Sequence, residues 1–314
     1  MNMNYYLNNL IINMLMIIGP LISLAFLTLL ERKILGFTQL RKGPNKPSLK
    51  GLLQPFSDAI KLYSKELFLV KNLNYMFFLM SPILSLLIML MLWIITPMYF
   101  NLFYLDLNIT MFLSFLSLNV YTTMISGWSS NSSYSMLGSV RAISQTISYE
   151  VSLILIILVT LILTESFNMN KIMIYQTHMN FIFYLFPVSL MFFISMTAEL
   201  NRTPFDLAEG ESELVSGFNT EYMSGPFALI FMAEYGMIMI MSFMFTLFYW
   251  TSSNYKIMFF VKMIFMMNLI ILLRSSMPRF RYDKLMMLTW KSFLPSILNL
   301  LIYFYFLKIF LMII

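Results

Sequence analysis

Charge is absent from long stretches of this chain, and those stretches define its elements. No Asp, Glu, Lys or Arg occurs in residues 1–30, 72–105, 107–140, 151–164, 172–198 or 235–255. A hydrocarbon core about 30 Å thick is crossed by roughly 20 apolar helical residues rising 1.5 Å each. Most of these runs suffice for one crossing; the 151–164 run must recruit its flanks. The pattern predicts eight spans, at 7–30, 76–96, 108–127, 145–166, 179–199, 227–249, 256–275 and 289–312. The third is mildly polar, with Asn108, Asn119, Thr122 and Thr123. Eight crossings put both termini on one side. The expected fold is all-α, a single polytopic transmembrane domain over residues 1–314.

A different period appears between the first two spans. Leu52, Leu53, Phe56, Ala59, Ile60, Tyr63 and Leu67 recur three and four residues apart, with Gln54, Ser57, Asp58, Lys61, Ser64 and Lys65 between them. Pro55 falls in the first turn, where a missing N–H is tolerated. This is the pattern of an amphipathic helix that lies at the membrane interface.

Composition agrees with a bilayer as the solvent. The chain is 60% hydrophobic and 11% charged, against about 25% charged in a soluble domain. Sixteen of the 20 Lys and Arg residues fall in or beside the loops after spans one, three, five and seven. The basic face is expected inside. The net charge of +6 is then a topology signal, and no soluble basic domain is present to suggest a nucleic-acid partner. The chain has no cysteine, so thiolate metal sites and iron–sulfur ligation are excluded. His178 is its one histidine, which excludes a bis-histidine haem. Gly210, Gly217 and Gly225 are too far apart for a dinucleotide fingerprint. No redox centre, nucleotide site or metal site is expected in this chain alone. Ala occurs seven times against 31 Met and 31 Phe, a bias toward residues with A/T-rich codons that hints at an organellar genome. The N-terminus lacks a transit peptide's basic, Ser-rich character, consistent with synthesis inside the organelle.

The acids are the candidate chemistry. Seven of fourteen lie between Glu199 and Glu234, and within 199–221 only Arg202 opposes six of them. Such a loop suits proton exchange or polar partners, and equally a solvated surface. Glu234 lies roughly 6 Å from the middle of the sixth span. A carboxylate there is costly unless paired, protonated or facing water. Glu150 and Glu199 sit near the basic-face ends of spans four and five, where each alone would serve as a helix-end anchor. Together the three permit a proton relay. A secondary transporter and a purely structural anchor are competing readings, although no inverted repeat or pair of broken helices is visible.

Leu30-Glu-Arg-Lys-Ile-Leu-Gly36, Gln39-Leu-Arg-Lys-Gly-Pro-Asn45, Asp58-Ala-Ile-Lys-Leu62, Ile147-Ser-Tyr-Glu150, the stretch from Asn201 to Asn219, Phe231-Met-Ala-Glu-Tyr235 and Pro278-Arg-Phe-Arg-Tyr-Asp283 stand in family order. With them the chain resembles the subunit 1 family of mitochondrial NADH:ubiquinone oxidoreductase (respiratory complex I) over essentially its whole length. Lys46-Pro-Ser-Leu-Lys50 departs from the apolar, glycine-containing segment usual in that family, and Ser275-Ser276-Met277 also departs. The resemblance implies a core membrane subunit of the inner mitochondrial membrane, with its basic loops toward the matrix. Ubiquinone would be the substrate, while NADH, FMN and iron–sulfur clusters would reside on partner subunits. Those partners would be the quinone-site and terminal iron–sulfur subunits of the hydrophilic arm, small membrane subunits and antiporter-like subunits. It further implies that Gln39, Arg41, Asp58, Phe231 and Tyr235 line the quinone passage. Glu31, Glu150, Glu199, Glu209, Glu213 and Glu234 would carry or gate protons, and Arg32, Arg202, Arg279 and Arg281 would balance charge.

Overall fold

The computed structural model describes residues 3–68, 71–97, 106–177, 179–208, 210, 216–251 and 257–313. Its regular structure is helical: α1 (Met3–Thr38), α2 (Gln54–Tyr63), α3 (Tyr75–Ile95), α4 (Asn108–Ser129), α5 (Ser133–Thr164), α6 (Met169–Tyr175), α7 (Phe181–Tyr184), α8 (Phe186–Glu199), α9 (Ser224–Tyr249), α10 (Ile257–Ser276), α11 (Tyr282–Met287) and α12 (Leu294–Ile313), with a π-helical stretch, Leu288–Phe293, joining the last two. Among the described residues seven helices are long and apolar enough to cross a membrane. The amphipathic segment expected between the first two spans is α2, with Pro55 in its first turn.

Three elements depart from the charge-derived pattern. α1 continues to Thr38, so Glu31, Arg32 and Lys33 lie inside the helix and do not end it. α5 begins at Ser133, twelve residues before the expected start, and is 32 residues long, or about 48 Å. The fifth expected span is divided into α7 and the 14-residue α8. The break falls at Leu185, whose φ of −109° and ψ of 33° leave the helical region. Pro187 follows in the first turn of α8, where its lack of an N–H suits a helix start and opposes continuation through it.

α9 is the central helix. Every residue from Tyr235 to Tyr249 is buried, as expected for a helix that is apolar all round. It packs against α1, α2, α3, α8 and α10. A helix C-terminus leaves four carbonyls without intrahelical partners. Here Gln176 Nε2 donates to Leu247 O at 2.9 Å and to Phe248 O at 3.0 Å, while its Oε1 accepts from Thr251 N at 3.1 Å. On the same side Lys308 of α12 pairs with Glu165 and donates to Ile162 O, closing the end of α5.

Candidate functional site

Most of the candidate side chains gather at the other end, where the basic loops lie. An apolar cavity sits between α1, α2 and α9, lined by Leu21, Leu24, Thr28, Ala59, Leu62, Phe227, Phe231 and Met232 among others. The space open to water centres is about 270 Å³. Arg32 and Asp58 stand at its polar rim. Arg32 Nη1 donates to Asp58 Oδ2 at 2.5 Å, and Gln54 Nε2 donates to Asp58 Oδ1 at 2.9 Å. α2 places these groups because its Gln54 and Asp58 are one turn apart, facing the Arg32 turn of α1.

Tyr235 forms the cavity's inner limit. Its hydroxyl lies near the Glu31 carboxyl, and Glu31 pairs with Arg274 of α10. This pairing explains how α1 continues past Glu31, which is 5% exposed: a buried charge is tolerated when paired. The guanidinium of Arg202 lies 4.7 Å from the centroid of the Tyr235 ring and 3.5 Å from Glu234 Oε2. Charged groups from α1, α9, α10 and the loop after α8 thus form one run.

The run leads into a second cavity. Its polar lining comes from Ser81 and Ser85 of α3, Asn119, Thr122, Thr123 and Ser126 of α4, Glu234, Glu199, Asn201 and Arg202, set among apolar residues such as Phe218, Ile230 and Met237. On the same measure it offers about 60 Å³, where one water needs roughly 10–15 Å³. Thr122, Thr123 and Ser126 donate to carbonyls of their own helix at 2.7, 2.9 and 2.8 Å. Their oxygen lone pairs remain able to accept from water. At its far side Glu199 is 4% exposed, and neither of its carboxyl oxygens has a partner among the described residues. Glu150 Oε1 also lacks one, and the two carboxyls are close enough to interact electrostatically. Proton binding removes the burden of an unpaired buried charge.

The loop after α8 is seated on α3 and α5. Gln145 Nε2 donates to Ala198 O and Phe205 O, both at 2.8 Å. Arg279 Nη2 lies 3.2 Å from Asp206 Oδ2, and Phe280 N donates to Pro204 O at 2.9 Å. At the loop's end Tyr222 stacks on Phe78 with ring centroids 4.1 Å apart, and its hydroxyl is 2.9 Å from Ser81 Oγ. Burial pushes the Tyr222 phenol up. Gly138 of α5 permits a close backbone contact with this loop. A Cβ there would lie 3.0 Å from Gly217 Cα, 3.1 Å from Phe218 N and 3.2 Å from Ala208 O. Both stems of the 209–215 stretch therefore rest on one glycine.

Of the residues expected to act, Glu31, Asp58, Glu150, Glu199, Arg202, Phe231, Glu234 and Tyr235 line the two cavities or the groups joining and adjoining them. Arg32 lines the apolar cavity, and Arg279 holds the loop through Asp206. Gln39 and Arg41 lie elsewhere. Both are exposed at the end of α1, where Arg41 Nε donates to Gln39 Oε1 at 2.9 Å. Arg281 pairs at 3.0 Å with Asp283 on the surface, its side chain 80% exposed. Glu209 and Glu213 fall outside the described residues, as does His178. Sequence reasoning missed Gly138, Gln145, Tyr222, Arg274 and the α4 hydroxyls. The α4 group alone carried a signal: Asn119, Thr122, Thr123 and Ser126 keep helical i, i+3, i+4, i+7 spacing in an apolar span. Among the described residues no group of three or more His, Asp or Glu could hold a metal ion.

The family model described as NADH dehydrogenase matches residues 11–305. The NADH-ubiquinone oxidoreductase chain 1 of Aedes aegypti is 52% identical over 307 residues, 98% of each chain. That of Anopheles gambiae is 52% identical over 298 residues, 95% of each. That of Hylobates lar is 48% identical over 301 residues, 93% of this chain and 95% of its own.

Proposed function

The chain belongs to the NADH dehydrogenase family, and from that premise we propose that it forms part of the ubiquinone passage of the complex and of the acidic path that couples quinone reduction to proton translocation. The carrying observation is continuity. The apolar cavity between α1, α2 and α9 ends at Tyr235, where the run Arg274–Glu31–Tyr235–Arg202–Glu234 begins and leads to Glu199 and Glu150.

An isoprenoid quinone needs an apolar channel for its tail and polar groups near its head. The lining of this cavity and its Arg32–Asp58 rim supply both. Reduction to the quinol takes up two electrons and two protons. The electrons come from iron–sulfur clusters on a partner subunit, fed by NADH through FMN; this chain contributes positioning and charge. Arg202 is the pivot, because it touches both Tyr235 and Glu234. A change of charge at the quinone head alters the Glu31–Tyr235 pair, and a proton bound or lost at Glu234 alters its grip on Arg202. The loop that begins at Arg202 then responds, and the acids at 150, 199, 209 and 213 shift protons toward antiporter-like subunits. Such coupling requires different interactions in two states. In this reading the protein sits in the mitochondrial inner membrane with its basic loops toward the matrix, where the hydrophilic arm docks.

The test is Glu234→Gln in the assembled complex. Expected is a complex that still assembles and oxidises NADH with artificial acceptors, while inhibitor-sensitive quinone turnover and pumping fall at least tenfold. Normal turnover with a normal proton-to-electron ratio would overturn the assignment.

A further inference from the structure

The segment that follows α8 holds two of the candidate groups. Glu199 is the last residue of α8, and Arg202, which meets both Tyr235 and Glu234, stands three residues on. The chain then turns, closed by a hydrogen bond from Phe205 N to Arg202 O at 2.8 Å. Both ends of this segment, Ala198 and Phe205, are fastened to one side chain. Gln145 Nε2 donates to their carbonyl oxygens, each at 2.8 Å. Tyr149, one turn further along α5, packs its ring against the Phe205 ring with centroids 6.1 Å apart, and it belongs to the same buried cluster as Ala198. Glu150 is the next residue. The turn of α5 that bears one acid therefore holds the segment that bears Glu199 and Arg202.

Neither carbonyl needs Gln145 for its own sake. Ala198 O also accepts from Asn201 N at 3.1 Å, and Phe205 O from Leu207 N at 3.0 Å. What the amide adds is a tie between them. Its two N–H bonds are both committed to acceptors, which fixes the orientation of the side chain and turns Oε1 the other way. That oxygen is buried with no donor among the described residues, in a side chain that is itself fully buried. An unsatisfied buried acceptor is destabilising, and a leucine or methionine would fill the space without that penalty. Packing alone does not account for a glutamine here.

We infer that Gln145 is a positioning residue of the coupling path: by gripping Ala198 and Phe205 together, it sets where Glu199 stands relative to Glu150 and where Arg202 stands relative to Glu234 and Tyr235. Without the grip the segment is free to shift against α5. A displacement of about 1 Å caused by a change remote from the chemistry can cost ~10²-fold in rate. The inference rests on the coupling role proposed above for these groups.

The test uses the assembled complex in proteoliposomes. Gln145→Met keeps the length of the side chain and removes both donors. Each carbonyl retains a backbone partner, so the complex should assemble and oxidise NADH with an artificial acceptor as before. Inhibitor-sensitive quinone turnover should fall about tenfold. Quinone KM should stay within about a factor of two, since Gln145 lies outside the lining of both cavities. Gln145→Glu, whose acid form still donates one hydrogen bond, should fall between the two; it decides by the same criteria should the methionine variant not assemble. In a Glu199→Gln background the Gln145 substitution should cost much less than it does alone, because part of what it positions is gone. Turnover unchanged in the Gln145 variants, or losses that multiply in the double variant, would overturn the inference and leave the coupling reading standing. A Glu199→Gln complex with normal turnover and pumping would overturn that reading and the inference with it.

Discussion

The two halves of α9 use buried polar groups in opposite ways. From Tyr235 to Tyr249 every residue is buried, and the polar contacts at the helix end serve the backbone. Gln176 caps it, and Lys262 donates to Trp250 O at 2.9 Å just beyond. From Ser224 to Glu234 the helix borders two cavities, and its charged contacts are with other side chains: Arg202 with Glu234, and Tyr235 with Glu31 at the boundary. A cap satisfies groups that every state of the protein retains. A side-chain charge network can be rearranged by one proton. The difference separates what holds the bundle from what can respond.

If the contrast is right, the largest effect should follow Gly138→Val. Its side chain would enter backbone on both stems of the acidic loop, and backbone cannot swing aside. Quinone turnover of the assembled complex should fall more than tenfold, measured against NADH oxidation with an artificial acceptor; equal losses in both assays would place the defect in assembly. Next comes Arg274→Met, which leaves Glu31 buried without its cation. Breaking such a pair costs about 3–5 kcal/mol when fully buried, and less here because Arg274 is partly exposed. Turnover should drop about tenfold, and Glu31→Gln added to it should restore part of the loss in a double-mutant cycle. Additive losses would mean that the pair is not a unit.

Gln176→Leu tests the buried half. Three hydrogen bonds to the end of α9 are lost, at about 1–3 kcal/mol for the groups left unsatisfied. The melting temperature of the purified complex should fall while quinone KM stays unchanged; a shifted KM would break the division between the halves. The smallest effect belongs to Arg281→Gln. Its pair with Asp283 is exposed on both sides, and such pairs contribute about 0–1 kcal/mol. Turnover should stay within a factor of two, or Arg281 has a role through a partner chain.

Much of this was legible in the chain. Carboxylates in apolar surroundings are conspicuous, so Glu31, Glu150, Glu199 and Glu234 stood out. Hydroxyls were not, because Thr122 and Ser126 bond their own helix whether or not they face a cavity. Charge does not mark the helix limits. Arg274 lets α1 run past Glu31, and that pairing spans 243 residues. Gln39 and Arg41, expected to line the quinone passage, bond each other on the surface of this chain.

The sequence by itself determined the solvent, the helical class and which residues are too expensive to bury without a reason. These follow from transfer free energies, which belong to each residue and its near neighbours. Only the tertiary structure decided which acid is paired and which is left unpaired, and that one glycine carries both stems of a loop. Those depend on distances between segments far apart in the chain, and hydropathy contains no term for them.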